Sequence, residues 1–279
     1  MIAVTLMGGL GNQLFEYAFA RSLSIKYQKD LKIDLSFLKR KDLGLNFVYR
    51  NYDLDLFHTI EDFKIGYESF IRIDETHFHY SRDIVDSISN FSSSNLILNG
   101  YWQSPKYFHG FESDIKSEFQ FKKKIENSND ELIKKMHQKI QNENSIMVSV
   151  RRTDYLNSNF HALVGIDYFE SAIEEMKSKV DNPHFFIFSD DIPWCHQNLK
   201  IDNSIFVDHS YSGEKFGYYL QLMSSCKNFI IPNSTFAWWS AWLCENENKI
   251  IISPKKWTID DSIDTTDLIP KYWTNHLWI

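Results

Sequence analysis

The chain has 279 residues, of which 43% are apolar and 16% aromatic, including 22 Phe and 8 Trp, so it can bury a large core and still line a site with rings. Its formal net charge of −7 excludes a protein whose main partner is nucleic acid, since phosphate neutralisation needs a basic surface, and any phosphate contact must be local. No signal peptide is evident and no apolar run reaches the roughly 18 residues that a membrane span needs, which makes the cytosol the expected compartment.

Residues Ile2 to Leu6 form a short β-type run closed by Gly8 and Gly9. From Asn12 onward Leu14, Phe15, Ala18, Phe19, Ser22 and Leu23 recur at helical spacing, and Leu31 to Asp34 then reads as a second strand. This is an opening strand, glycine turn, helix and strand, with the turn at the carboxyl ends of the strands where doubly wound sheets bind ligands. Between Asp42 and Ser94 no period is sustained: there are scattered aromatics, a Tyr49-Arg50-Asn51-Tyr52 segment and a serine patch at Ser92 to Ser94, so little structure is expected. His77-Phe78-His79 lacks a supporting ligand cluster and reads as a surface strand.

A strand is expected from Leu96, followed by a helix capped by Ser104, started by Pro105 and ending near Phe121. Lys122 to Asp130 is polar and charged, a hinge between two lobes spanning residues 1–127 and 128–279. A helix capped by Ser128 or Asp130 then runs to about Lys139. Beyond it the pattern alternates: strand Ile146 to Val150, helix Tyr168 to Met176, strand Phe185 to Phe188, helix Lys215 to Ser225, strand Phe229 to Ile231, helix Phe236 to Cys244 and strand Ile250 to Ile252. Such alternation means an α/β fold with a parallel sheet covered on both faces. Cys195, Cys226 and Cys244 are too widely spaced for a Cys-x-x-Cys motif and read as buried free thiols.

Three segments of the second half bear chemistry. Arg151-Arg152-Thr153-Asp154-Tyr155 follows a buried strand, so two guanidiniums emerge at the ligand-binding edge, where Arg offers bidentate donors to a pyrophosphate and can neutralise charge on a departing diphosphate. The competing reading is a solvated pair with Arg152 bridged to Asp154. Pro232-Asn233-Ser234-Thr235 precedes the helix that begins at Phe236, so Ser234 or Thr235 is either an ordinary cap or part of an anion site at the helix N-terminus. Trp238, Trp239 and Trp242 are expected in the core rather than as a stacking platform. Asp190-Asp191 closes the strand between those loops, suited to ribose or base contacts or to helix capping; adjacent aspartates point apart and suggest no metal site.

Gly8-Gly9-Leu10-Gly11-Asn12-Gln13-Leu14 resembles the start of a dinucleotide fingerprint, with Asp34 as the ribose acid, which gives a rival nicotinamide- or flavin-dependent oxidoreductase. The third glycine of that fingerprint is Leu14, and the Arg-Arg and Asn-Ser-Thr loops would have no task in it.

Taken together, the Gly-Gly-Leu-Gly-Asn-Gln-Leu-Phe start, Arg-Arg-x-Asp-Tyr, Phe-x-Phe-Ser-Asp-Asp and Asn-Ser-Thr-Phe-x-Trp-Trp-x-Ala-Trp-Leu resemble the α-1,2-fucosyltransferases of glycosyltransferase family 11. Gly100-Tyr101-Trp102-Gln103-Ser104 and Pro254-Lys255-Lys256-Trp257 extend the resemblance over nearly the whole chain. The resemblance implies a GT-B-like fold of two Rossmann-like lobes with a cleft between them, acceptor side first and donor side second. It implies inverting transfer of L-fucose from GDP-β-L-fucose, without a metal or other cofactor, to a galactoside hydroxyl, typically O2. Implied acceptors are a galactose-terminated glycan or lipid-linked oligosaccharide in surface glycan or O-antigen synthesis, with room for peripheral contact at the inner membrane face. On that view Arg151 and Arg152 bind the diphosphate, Asp190 and Asp191 hold the nucleoside, and Asn233, Ser234, Thr235 and Phe236 line the phosphate. Gly9, Gly11 and Asn12 face the fucose, and Arg151, Asp154 and Asn12 form the catalytic set. The family's His before the Arg pair is Ser149 here, so the residue that takes the acceptor proton is open among Asp154, Glu16 and His161, and a sugar-nucleotide-binding protein without turnover is a further alternative.

Overall fold

The computed structural model describes residues 1–44, 48–63, 69–91 and 93–279. Parts of the 42–94 segment, including Ser92 of the serine patch, therefore lie outside the described residues. The chain forms two units, Met1–Lys122 with Asp264–Pro270, and Lys123–Ile263 with Lys271–Ile279. Their division falls after Lys122, not after residue 127 as the charged stretch suggested, and the short return of residues 264–270 to the first unit had no sequence signal.

The first unit holds β1 (Ile2–Thr5), α1 (Leu10–Tyr27), β2 (Leu31–Asp34), β3 (Ile71–Asp74), α2 (Arg82–Asn90), β4 (Leu96–Asn99) and α3 (Glu112–Glu118). Its sheet has the order β2-β1-β4-β3 and every pairing is parallel. Strand β1 is buried along its whole length, as a central parallel strand covered on both faces must be, whereas β2 alternates. Helix α1 is buried nearly all round from Leu10 to Ser24, and a residue in the left-handed region, Gln28 at φ 52°, ends it.

The 42–94 segment is more ordered than its irregular pattern indicated. Strand β3 pairs with β4, and Ser81 caps α2 by accepting the Ile84 N–H. His77 to His79 lie after β3 and are not in a strand; β-propensity alone misled there, since the ladder ends at Asp74. The helix expected from Pro105 to Phe121 is a short 3-10 turn at Pro105–Phe108 and then α3, broken at Gly110, whose φ of 88° no helix accepts. Asp267, in the returning segment, accepts the Tyr80 N–H at 3.2 Å, pairs with Lys106, and offers its carbonyl to Ser104 Oγ at 3.2 Å.

The second unit holds α4 (Glu131–Asn142), β5 (Asn144–Val150), α5 (Ile166–Lys179), β6 (Pro183–Ser189), α6 (Ile192–Asn198), β7 (Ser204–Val207), α7 (Gly217–Ser224), β8 (Asn228–Ile230), α8 (Thr235–Leu243), β9 (Ile251–Ser253) and β10 (His276–Trp278). Its parallel sheet has the order β10-β9-β8-β5-β6-β7. Helix α4 is capped by Asp130, which accepts the Leu132 and Ile133 N–H groups. Helix α6 was signalled only by the capping reading of Asp190-Asp191, and strands β7 and β10 were not foreseen; both strands lie at sheet edges and are half-buried, which blurs the apolar run that marked β5 and β6. Trp238, Trp239 and Trp242 are core residues packed edge to face, and the three cysteines are free and buried.

Candidate active site

In the second unit, β5 and β6 run in register so that Val150 pairs with Ser189, which sets the next residues, Arg151 and Asp190, side by side at the carboxyl edge. Asp190 draws the loop after β5 around itself. One oxygen accepts the Arg152 N–H at 2.9 Å, and the other accepts the Thr153 N–H at 3.3 Å and the Thr153 hydroxyl at 2.6 Å. The Arg151 guanidinium reaches the second oxygen at 3.1 Å and Asp154 at 2.6 Å. Burial acts against the charge on Arg151, but Asp190 and Asp154 more than offset it, and its pKa rises above the ordinary arginine value.

The expected Arg152–Asp154 bridge does not form: Asp154 belongs to Arg151. Arg152 instead lies over the Trp194 ring at 3.9 Å, a cation–π contact, with Asp191 at 3.4 Å from its Nε. Asp191 caps α6 by accepting the Trp194 N–H at 3.1 Å. Asp190 thus builds the arginine loop and Asp191 the next helix, and neither carboxylate stands clear of protein donors as a simple nucleoside contact would.

On the other side of β5, the residues after β8 complete the edge. Tyr155 donates its hydroxyl to the Asn233 carbonyl at 2.9 Å, and so ties the arginine loop to the turn before α8. Asn233 is a buried strut, its amide donating to Ala162 at 2.8 Å and Trp257 at 2.7 Å. Ser234 occupies the cap position of α8 in extended backbone, yet its hydroxyl accepts no helix N–H, so the ordinary-cap reading is corrected for Ser234. Thr235 and Phe236 begin α8 and are half-buried. His161 stacks on Tyr155 at 4.3 Å; burial pushes its pKa down, with Asp154 opposing and Arg151 adding to the shift.

In the first unit the turn between β1 and α1 needs a glycine at Gly8. Gly8 has φ 67°, and a Cβ there would lie 2.4 Å from the Asn12 amide. Gly9 precedes α1, Gly11 is buried in its first turn, and Asn12 accepts the Gln103 amide at 3.1 Å. Gln13 donates to the Gly8 carbonyl at 3.0 Å and the Asn51 carbonyl at 2.7 Å and accepts the Asp53 N–H at 3.0 Å. This buried amide pins the Tyr-Arg-Asn-Tyr segment to the glycine turn, bringing Arg50 within 3.8 Å of where a Cβ on Gly9 would sit. Glu16 is fully buried, accepts the Met7 N–H at 2.9 Å, and is held well above the usual carboxyl pKa, chiefly by burial.

The model of glycosyl transferase family 11 matches residues 68–275. The chain belongs to this family. An α-1,2-colitosyltransferase of Escherichia coli is 28% identical over 98% of both chains, and the O-antigen biosynthesis glycosyltransferase WbnK of Escherichia coli is 27% identical over 90% of this chain and 93% of its own. Galactoside α-(1,2)-fucosyltransferase 2 of Rattus norvegicus is 22% identical over 94% of this chain and 71% of its own. The crystal structure of the fucosyltransferase NodZ from Bradyrhizobium superposes with a TM-score of 0.55 at 15% identity, covering 86% of this chain and 91% of that one, a likeness of fold. The fold is accordingly GT-B-like.

For a family 11 glycosyltransferase the rival dinucleotide reading falls away, and the structure shows what Asp34 does instead. It accepts the Thr5 hydroxyl at 3.0 Å and the Ser36 N–H and hydroxyl at 2.9 and 2.8 Å, closing a turn after β2. Among the three base candidates, Asp154 is held by Arg151, Glu16 is fully buried with its pKa raised by that burial, and His161 is stacked face to face on Tyr155 with its pKa lowered by burial. Among the described residues no group of three or more His, Cys, Asp or Glu side chains is placed to hold a metal ion, and no helix is long and apolar enough to cross a membrane.

Proposed function

We propose that this glycosyltransferase moves L-fucose from GDP-β-L-fucose to a galactoside hydroxyl, O2, with inversion and without a metal ion. The observation that carries the reading is the Arg151–Asp190–Asp154 triad at the end of β5, tied by Tyr155 to the turn that opens α8. A charge that cannot be lost and a forked donor suit a diphosphate, whose bridging oxygen gains charge as the sugar bond breaks. A helix N-terminus beside it adds a favourable dipole. Arg151 and Arg152 would hold the diphosphate, and Ser234, Thr235 and Phe236 would line it. In this reading Asp190 acts by positioning the arginine loop.

The O-antigen biosynthesis relative favours a glycan or lipid-linked oligosaccharide as acceptor. A second reading, colitose in place of fucose, is favoured by the colitosyltransferase relative, which spans the whole chain. The test is GDP release from GDP-fucose in the presence of lactose and in excess chelator, with the product linkage assigned by NMR and nucleotide-activated colitose run as a competing donor. A new α-1,2 linkage at undiminished rate in chelator is expected. Turnover that needs added manganese would sink the metal-free reading, and turnover with the colitosyl donor alone would replace fucose by colitose.

A further inference from the structure

Within the second unit, the strand order places the loops after β8, β5, β6 and β7 side by side along the carboxyl edge. On the β8 side of the arginine loop the chain fills that edge itself. The buried Asn233 amide donates to the Ala162 and Trp257 carbonyls, and beside them His161 pairs with Thr258 while the Phe160 carbonyl accepts the Ile259 N–H at 2.8 Å. A nucleotide whose diphosphate lies on Arg151 therefore extends its nucleoside the other way, over β6 and β7. Neighbouring strands lie about 4.8 Å apart, so β7 stands roughly 10 Å from β5, a distance that an α-phosphate and ribose bridge on the way to the base.

The loop after β7 is fastened to this edge. Tyr219 of α7 donates its hydroxyl to the Val207 carbonyl at 2.8 Å and accepts with it the N–H of Ser189, the residue before Asp190, at 2.9 Å. The Ser212 carbonyl closes the base of the loop by accepting the Tyr218 and Tyr219 N–H groups at 3.1 and 3.2 Å. Tyr218 packs over Gly213, where a Cβ would lie 2.6 Å from its ring. At the tip two successive residues, Lys215 at φ 49° and Phe216 at φ 61°, stand in the left-handed region that bulky side chains seldom enter. Strain of this kind persists only where the surroundings impose it, and it gathers where a side chain meets a ligand. Here it presents a Phe216 ring that is 41% exposed, steadied by the His209 and Tyr219 rings, which stand at 90° and 86° to it. A steadied ring with surface open to solvent suits a flat partner, since every nucleobase has a π-face and stacking needs no particular hydrogen bond.

We propose that Phe216 is the platform on which the nucleobase of the donor stacks, so that the nucleotide lies across the ends of β5, β6 and β7 with its diphosphate on Arg151. The proposal rests on the donor reading above and gives the nucleoside a seat that Asp190 and Asp191, occupied by protein donors, do not supply.

The test titrates GDP and inorganic pyrophosphate into the full-length wild type, Phe216→Leu and Phe216→Trp, with melting followed for each. Leucine keeps apolar packing against His209 and Tyr219 but has no flat face. Phe216→Leu should bind GDP about tenfold more weakly and pyrophosphate as the wild type does, and Phe216→Trp should hold GDP within about threefold of wild type. In GDP release from GDP-fucose with lactose, Phe216→Leu should raise the donor KM about tenfold with kcat little changed, because the base binds alike before and during transfer. Should leucine destabilise the loop, Phe216→Gly repeats the titration, since glycine accepts φ 61° without strain and also removes the ring. Folded Phe216→Leu or Phe216→Gly with GDP affinity within about threefold of wild type would overturn the proposal, as would an equal loss for GDP and pyrophosphate, which would make the ring a support of the edge rather than a seat for the base. A wild type that binds neither GDP nor pyrophosphate would instead remove the donor reading, and this inference with it.

Discussion

Replacing Asp190 by asparagine separates the two tasks open to that carboxylate. In the structure it accepts the Arg152 N–H, the Thr153 N–H, the Thr153 hydroxyl and the Arg151 guanidinium. Asparagine has one acceptor oxygen, so in either orientation its amide faces a donor that the carboxylate had satisfied. An unsatisfied buried donor costs about 1–3 kcal/mol, and the contact with Arg151 loses its charge assistance, which together give about 2–4 kcal/mol. Part of that cost appears as local opening of the loop and only part as global unfolding. GDP and inorganic pyrophosphate, titrated calorimetrically, should both weaken by the same factor, about tenfold for each 1.4 kcal/mol the loop loses, while the melting temperature falls. A variant with wild-type melting and wild-type pyrophosphate affinity that has lost affinity for GDP alone would show that Asp190 contacts the nucleoside, and the positioning argument would fail.

Arg151→Lys keeps the charge but loses the planar fork whose two nitrogens meet Asp154 and Asp190 separately, so both melting temperature and turnover should fall, the barrier rising by about 2–4 kcal/mol with GDP binding less affected. Steady-state GDP release alongside thermal melting checks this, and wild-type turnover at saturating donor would refute the diphosphate role. His276, on edge strand β10 with its ring against the Ser253 hydroxyl at 2.8 Å, is pushed down to about 4 by burial. Its folded pKa lies below the unfolded value of about 6.5, so its contribution to stability is full above that pH and is lost as pH falls towards about 4. His276→Asn should therefore melt with a shallower pH dependence across that window, though not a flat one, because burial also lowers His137, His161 and His184.

The parts of this architecture that were readable from the sequence are those where one physical requirement dominates. Strands β1, β5 and β6 are buried on both faces and left short, mostly apolar runs, and the turn after β1 left Gly8 because its positive φ and the nearby Asn12 side chain leave no place for a Cβ. Strand β3 was hidden because Ile-Arg-Ile-Asp is half exposed and short, and helix α2 because only Ile88 is buried. The loops carrying Arg151, Arg152, Asp190 and Asn233 were placed at one edge by strand order alone. The pairing of their charges was not legible: which aspartate meets which arginine depends on the register of β5 against β6, and a run such as Arg-Arg-Thr-Asp is silent on that.

The return of residues 264–270 to the first unit bears on how the protein is made. Asp267 fastens Tyr80, Ser104 and Lys106, so the first unit lacks these bonds until almost the entire second unit has been synthesised. Domains that emerge early usually fold as they leave the ribosome, but here the amino-terminal unit gains its clasp only when Asp264–Pro270 follows, long after its main segment ends at Lys122. A fragment cut after Lys122 would carry a complete four-stranded sheet with three of its ties missing, and long-range closure of this kind slows folding more than it raises stability.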